Sequence, residues 1–157
     1  MRMRRRGSDR ESGASAVELV IWTPVLFLVM FAAVQFGLDL FAQHVAISAA
    51  QEGAREARDN AYPDEQVGKD WAGESTAYAE QWATNLIGGL IEGETLNSSP
   101  VPATYVDFQD TANPEVGVSV TFRVVSVIPF LPLNVSASSQ GPVECFYNLA
   151  TGLCVGD

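Results

Sequence analysis

The pattern of apolar and polar positions changes twice along the chain, and each change predicts a different kind of structure. Twenty residues without a charge, Leu19 to Leu38, form an almost continuously apolar run. Apolar residues then recur at spacings of three, four or seven over residues 66–90, and the last third alternates as β-strands do. The pattern therefore predicts an α+β, membrane-anchored protein with a long N-terminal helix, a second helix and a small antiparallel sheet of about three strands.

The apolar run is long enough to cross a membrane as one helix. At about 1.5 Å per residue, twenty helical residues extend roughly 30 Å, the thickness of the hydrocarbon core of a bilayer. A core helix of a soluble protein would show a polar face at a period of 3.6 residues, and this run shows none. We therefore expect a single transmembrane span at about residues 19–38.

Charge is distributed unevenly on the two sides of this span. Residues 1–13 hold five arginines and two acids, a net charge of +3, while the remainder holds four bases and seventeen acids, a net charge of −13. Because basic residues favour the cytoplasmic side, the N-terminus is expected in the cytoplasm and the residues beyond about 40 outside it. The total of −10 also argues against nucleic acid as a partner.

A cleavable secretory signal is the main alternative for this N-terminus. Its apolar region would be about 7–15 residues long, with a small-x-small cleavage site soon after it. Here the run is longer, and the nearest such sites, Ala46-Ile47-Ser48 and Ser48-Ala49-Ala50, lie well beyond its end in a stretch typical of continuing helix. An uncleaved span is therefore the preferred interpretation.

A carboxylate, Glu18, lies inside the apolar segment, which already begins at Ala14. An ionised carboxylate there is costly unless it stays near the interface or finds a partner. One interpretation is that Glu18 only marks the membrane boundary, helped by the helix dipole. The other depends on its spacing from Gly13: a glycine, four small or apolar residues, a glutamate and a long apolar helix resemble the processing site of type IV prepilins.

The prepilin resemblance implies cleavage by a prepilin peptidase between Gly13 and Ala14. Residues 1–13 would then be a basic leader, and Glu18 would be the fifth residue of the mature chain. The new α-amino group could compensate the Glu18 carboxylate of a neighbouring subunit.

Two longer segments, residues 14–41 and 46–61, narrow the resemblance to TadE-like proteins of the tight-adherence (Flp, type IVc) pilus system. The shared features are Val17-Glu18, Pro24, Phe36-Gly37 and Gln51-Glu52-Gly53-Ala54-Arg55. The departures are Leu19, Gln35 and Asp39, which concern the packing of subunits rather than the processing site.

The TadE-like resemblance implies a single-span pseudopilin or minor pilin that assembles through its N-terminal helix. Its implied partners are the membrane, a prepilin peptidase, other pilins or pseudopilins, and the pilus platform proteins. Its implied location is the cell membrane, with possible incorporation into a pilus. The alternative is a signal-anchored extracytoplasmic binding module or adhesin that does not join a filament.

The apolar helix is expected to continue well beyond the membrane. Residues 39–61 contain no proline and many strong helix formers, so one helix of roughly 70 Å is predicted over residues 14–61. Pro24 removes one hydrogen bond and should kink the helix. Pro63 disfavours helical backbone at Tyr62 and should end it.

Small residues spaced by three and four in this helix predict a face for close helix packing. The positions chosen for this face are Gly37, Ala46, Ala50 and Gly53. An alanine-rich stalk in solvent is the alternative.

Residues 62–144 are expected to form a small extracytoplasmic α+β module. Its helix, residues 66–90, carries an apolar stripe that is expected to be core rather than a ligand site. The stripe contains Val67, Trp71, Tyr78, Trp82 and Leu86. Three strands are expected, over residues 104–108, 116–128 and 133–139.

The tail, residues 145–157, is expected to be a loop closed by a disulfide between Cys145 and Cys154. On the predicted topology these cysteines face an oxidising compartment. The loop of about ten residues would be stabilised by roughly 2–3 kcal/mol. Two unpaired thiols are the alternative, and the spacing is not that of a C-x-x-C redox motif.

Residues that carry chemistry are sparse. The sequence has a single histidine, His44, and shows no nucleophile–base pair, phosphate loop or metal-ligand cluster. We therefore expect no enzyme activity, no cofactor, no metal and no small-molecule substrate. A membrane-tethered enzyme, the third function class considered, has no supporting set of residues.

Overall fold

The computed structural model describes residues 8–91, 96–101, 114–128, 133–144, 146–147 and 154–155. Two helices, a short 3-10 helix and five strands follow one another within these ranges. They are α1 (Ser8–Val67), α2 (Trp71–Ile87), the 3-10 helix Gly88–Leu90, β1 (Asn97–Val101), β2 (Glu115–Val124), β3 (Leu133–Pro142), β4 (Phe146–Tyr147) and β5 (Cys154–Val155). The predicted long apolar helix, second helix and three-stranded antiparallel sheet are confirmed.

α1 is one helix of 60 residues that passes through both of its prolines, Pro24 and Pro63. It therefore extends beyond the predicted end at Ala61. The helix ends where Gly68 takes a φ of 70° and the N–H of Lys69 donates to the carbonyl of Asp64 at 2.9 Å. A glycine in the left-handed region closes a helix in this way because it has no Cβ to clash.

Pro63 does not end α1 because a proline removes only one helical hydrogen bond, a cost that packing can offset. The helix is packed on both sides of this residue. Ala61 is fully buried and Asp64 is 6% exposed. The Asp64 carboxylate also forms an ion pair with Lys69 at 3.3 Å.

The main sheet has the order β1-β2-β3, with both pairs antiparallel. β2 is its central strand and alternates as a half-buried strand should, with every second side chain on the core face. The buried residues on that face are Val116, Val118, Val120, Phe122 and Val124. β4 and β5 form a separate two-stranded ribbon that pairs Tyr147 with Cys154.

β1 lies earlier in the chain than the predicted first strand. The predicted strand at 104–108 lies outside the described residues, and the sequence Asn97–Val101 has little β-propensity. Its position is fixed by a neighbour instead, because Ser98 donates to the Glu80 carboxylate of α2 through its N–H at 3.1 Å and its hydroxyl at 2.6 Å.

α2 begins at Trp71 rather than near residue 66, since the Asp70 carboxylate caps it by accepting from the N–H of Gly73 at 2.9 Å. Its buried face is also different from the predicted apolar stripe. The buried residues are Ser75, Ala79, Ala83 and Ile87, whereas Tyr78 and Leu86 are 39% and 47% exposed. Close approach to α1 requires small side chains between the two helices, so the large ones lie at the sides.

Candidate functional site

Residues 16–34 form an uncovered segment of α1, here called the bare half. All of them are exposed, apart from the half-buried Thr23. These nineteen residues extend about 28 Å, close to the hydrocarbon thickness of a bilayer. In the part of the chain that the structure describes, one helix is long and apolar enough to cross a membrane, and none of its most apolar window is buried. This surface is far larger than the apolar patches that soluble monomers leave uncovered.

Pro24 lies within the bare half, where α1 continues as a helix. The hydroxyl of Thr23 donates to the carbonyl of Leu19 at 2.6 Å, one turn earlier. A shallow apolar groove runs beside these residues. It is lined by Leu19, Trp22, Thr23, Val25, Leu26 and Val29. The exposed apolar surface of α1 is therefore concave at this groove.

The residues of the predicted processing site lie at the start of α1. Gly13 and Ala14 are within the helix, and Glu18 is exposed one turn after them. No ion pair among the described residues involves Glu18.

The predicted small-residue face divides into two parts. Ala46, Ala50 and Gly53 are buried inside the chain. A Cβ on Gly53 would lie 2.7 Å from the Cβ of Ala79 and 3.2 Å from that of Val118, so α1, α2 and β2 all meet at this glycine. Gly37 is exposed and has nothing within 4 Å of its Cβ direction. Only Gly37 is left for contacts outside the subunit.

Gln35 marks the junction between the bare half and the packed half of α1. It is 4% exposed and is the first buried residue among the side chains that the structure describes. Its carbonyl oxygen accepts from the N–H of Val127 at 2.6 Å, and more weakly, at 3.4 Å, from the N–H of Ile128 and the hydroxyl of Ser126. The Gln35 amide thus holds the loop that follows β2.

The Gln35 amide is only half satisfied. Its nitrogen, Nε2, is buried without a hydrogen-bond partner. A buried polar group without a partner costs free energy, so only the carbonyl oxygen of the Gln35 amide stabilises this contact. Sequence reasoning noted Gln35 only as a departure from the family pattern. The sequence did contain a signal for this role, because Gln35 is an amide inside an apolar run, where polar groups need partners.

The remaining predicted sites fall partly outside the described residues. Cys145 lies outside them, so the disulfide with Cys154 stays a prediction. No group of three or more His, Cys, Asp or Glu residues capable of holding a metal occurs in the described ranges.

The comparison with protein families matches residues 13–55 to the model of a family described as TadE-like protein. The matched segment begins at Gly13, contains Glu18 and Gln35, and ends just after Gly53. The TadE-like resemblance predicted from the sequence is therefore confirmed for this segment. No curated protein and no solved structure is significantly similar to the chain.

Proposed function

We propose that this protein is a TadE-like pseudopilin or minor pilin of a tight-adherence (type IVc) pilus assembly or secretion system. One observation carries the proposal: the segment that matches the TadE-like model contains the whole bare half of α1. A helical segment that is apolar on all sides and exposed within the part of the chain that the structure describes suits a subunit held first by lipid and then by other helices. Its role is structural rather than enzymatic.

The proposed topology places the N-terminus in the cytoplasm and the module outside it. It is supported by the net charge of +3 before Ala14 and of −13 after Gly13. The module packs on α1 only from Gln35 onwards, which leaves residues 16–34 free to cross the bilayer. The single span anchors the protein in the cell membrane.

The proposed processing step is cleavage by a prepilin peptidase between Gly13 and Ala14. The spacing of Gly13 and Glu18 supports it, as does the exposure of the Glu18 carboxylate. Because Gly13 lies in helical backbone in the intact chain, the peptidase has to unwind the first turns of α1, which a glycine makes easier.

Assembly with other pilins, pseudopilins and platform proteins uses the bare half of α1. Ala46, Ala50 and Gly53 are occupied by α2 and the sheet of the same subunit, so they serve folding rather than assembly. The surfaces that remain are the groove beside Pro24, the exposed Gly37 and the carboxylate of Glu18.

Intact-mass measurement tests the processing step. The full chain is expressed in membranes with and without a prepilin peptidase, and the expected product lacks residues 1–13. Gly13→Val should block cleavage, while Gly7→Val, at a glycine outside the site, should not. A chain that keeps its leader in the presence of active peptidase would support the alternative, a signal-anchored binding module that does not join a filament.

A further inference from the structure

We propose that the loop after β2, residues 125–128, is a second membrane contact, which lies in the headgroup region of the extracytoplasmic leaflet beside α1. The inference rests on the proposed membrane insertion of α1 and goes beyond it. It assigns the module a lipid-facing surface of its own.

β2 runs along α1 towards the membrane. Near the middle of the module, Gly53 of α1 approaches Val118 of β2, and at its lower end Gln35 binds Val127. The helix advances about 27 Å between its two contact points, and the strand and loop advance about 30 Å between theirs. The two elements are therefore nearly aligned and antiparallel. The loop after β2 lies beside Gln35, directly next to the bare half.

The contact point lies at the membrane surface by two measures. Gln35 follows directly on the bare segment, residues 16–34, which has the length of a bilayer core. It also lies three residues before Leu38, the end of the charge-free run, and is therefore about 4–5 Å inside that end. A loop bonded to Gln35 shares its depth.

The loop has the surface that such a depth requires. Val125 and Val127 are 43% and 42% exposed, and Leu86 at the end of α2 is 47% exposed. The N–H of Val125 donates to the carbonyl of Leu90 at 2.9 Å, so the 3-10 helix after α2 and this loop lie at the same end of the module. Exposed apolar side chains gathered where a span leaves the bilayer are typical of an interfacial contact.

Four hydrogen-bond donors of the loop are paired within the protein. The N–H groups of Val127 and Ile128 donate to Gln35, and the Ser126 hydroxyl donates to the carbonyl of Ile128 at 2.7 Å. Charged residues limit the depth: Asp39 lies one turn beyond Gln35, and Arg123 precedes the loop on β2. The loop therefore stays in the interface instead of entering the hydrocarbon core.

Depth-dependent fluorescence quenching tests the inference. The full chain is placed in vesicles of phosphatidylcholine and phosphatidylglycerol, with an environment-sensitive dye on one introduced cysteine. The test site is Val127→Cys, and the matched control is Gln140→Cys, an exposed position at the far end of the same sheet. Leu26→Cys reports on insertion of α1, and the parent chain corrects for the native cysteines. A lipid with a nitroxide near its headgroup, a lipid with a nitroxide deep in its acyl chain, which reaches Leu26, and aqueous iodide are the three quenchers.

The expected result is lipid quenching at Val127 several-fold greater than at Gln140, with little iodide quenching at Val127. Quenching at Leu26 with an aqueous dye at Val127 would overturn this inference and leave the proposed membrane anchor intact. A dye at Val127 shielded from all three quenchers would assign the surface to a protein partner and also overturn it. An aqueous dye at Leu26 would overturn the membrane anchor and this inference together.

Discussion

The carbonyl oxygen of Gln35 accepts a hydrogen bond of 2.6 Å from the backbone N–H of Val127, 92 residues later in the chain. This bond joins the last part of the apolar run to the loop that ends the central strand. It means that the module is attached to α1 down to the point where the bare half begins. The apolar helix and the α+β module packed on it therefore form one continuous unit.

Replacing Gln35 with methionine should release the loop. The substitution removes the acceptor of the partly buried N–H groups of Val127 and Ile128, at a cost of up to about 1–3 kcal/mol. Gln35→Glu keeps an acceptor for these N–H groups but puts a second carboxyl oxygen where Nε2 is buried, so it should retain the contact with a smaller loss of stability than Gln35→Met. The measurement is thermal unfolding in detergent, together with the mobility of a dye on Val127→Cys.

Gln43→Met is the matched control for Gln35, because Gln43 is exposed and bonds only across one turn, to Asp39 at 3.0 Å. Its effect should lie within about 0.5 kcal/mol of wild type, as is usual for surface substitutions. Equal effects at the two glutamines would contradict the role assigned to Gln35.

Gly53→Ala should destabilise the module. The new methyl group would lie 2.7 Å from the Cβ of Ala79, a distance that forces α1 and α2 apart. Such overpacking costs typically about 1–3 kcal/mol. Gly37→Ala is the control, since its methyl group meets nothing within 4 Å. It should be neutral or stabilise α1 by up to about 1 kcal/mol. Denaturant unfolding followed by circular dichroism measures both, and a neutral Gly53→Ala would show that the helices can separate freely.

Glu18→Gln should leave membrane insertion and peptidase cleavage intact and reduce assembly several-fold. The change keeps the size of the side chain and removes the charge that a neighbouring α-amino group would compensate. Membrane fractionation, intact mass and the amount of sheared pilus material measure the three steps. Glu74→Gln, at an exposed acid in the first turn of α2, is the control. Unchanged piliation in the Glu18 variant would contradict an assembly role.

The tail should contain a disulfide between Cys145 and Cys154 in protein isolated from the membrane. The prediction rests on the oxidising compartment in which the proposed topology places the tail. The intact mass without reductant should be lower by two hydrogen atoms, and alkylation should label neither cysteine. Cys154→Ser should cost about 2–3 kcal/mol. Alkylation of both cysteines in the native protein would establish free thiols instead.

The apolar helix and the strand pattern of β2 were predictable because each depends on a local pattern of side chains. The contacts between elements were not. The end of α1 depends on Gly68 and on packing around Ala61, which together offset the effect of Pro63. The buried face of α2 depends on its close approach to Gly53 of α1. Small residues therefore occupy that face, although hydrophobicity alone predicts the aromatic ones there.

The candidate site was also predictable only where a feature depends on local sequence. Glu18 and the apolar run are visible in the sequence, since charge and hydropathy are properties of single positions. The role of Gln35 depends on a loop 92 residues away, which no spacing rule along the chain connects to it. β1 was missed for a related reason, because Ser98 is positioned by Glu80 and not by its own β-propensity.

Because α1 continues as a helix past Pro24, the number of residues between Glu18 and Gln35 decides how the module is rotated around the helix axis. Glu18 and Gln35 are separated by seventeen helical residues, or about 25 Å, and each residue added between them would rotate the module by about 100° around the axis. One inserted residue would therefore turn the loop at Val127 to a different side while raising it by only about 1.5 Å. In an assembly whose subunits are aligned by their N-termini, the length of this segment decides which neighbour each module faces.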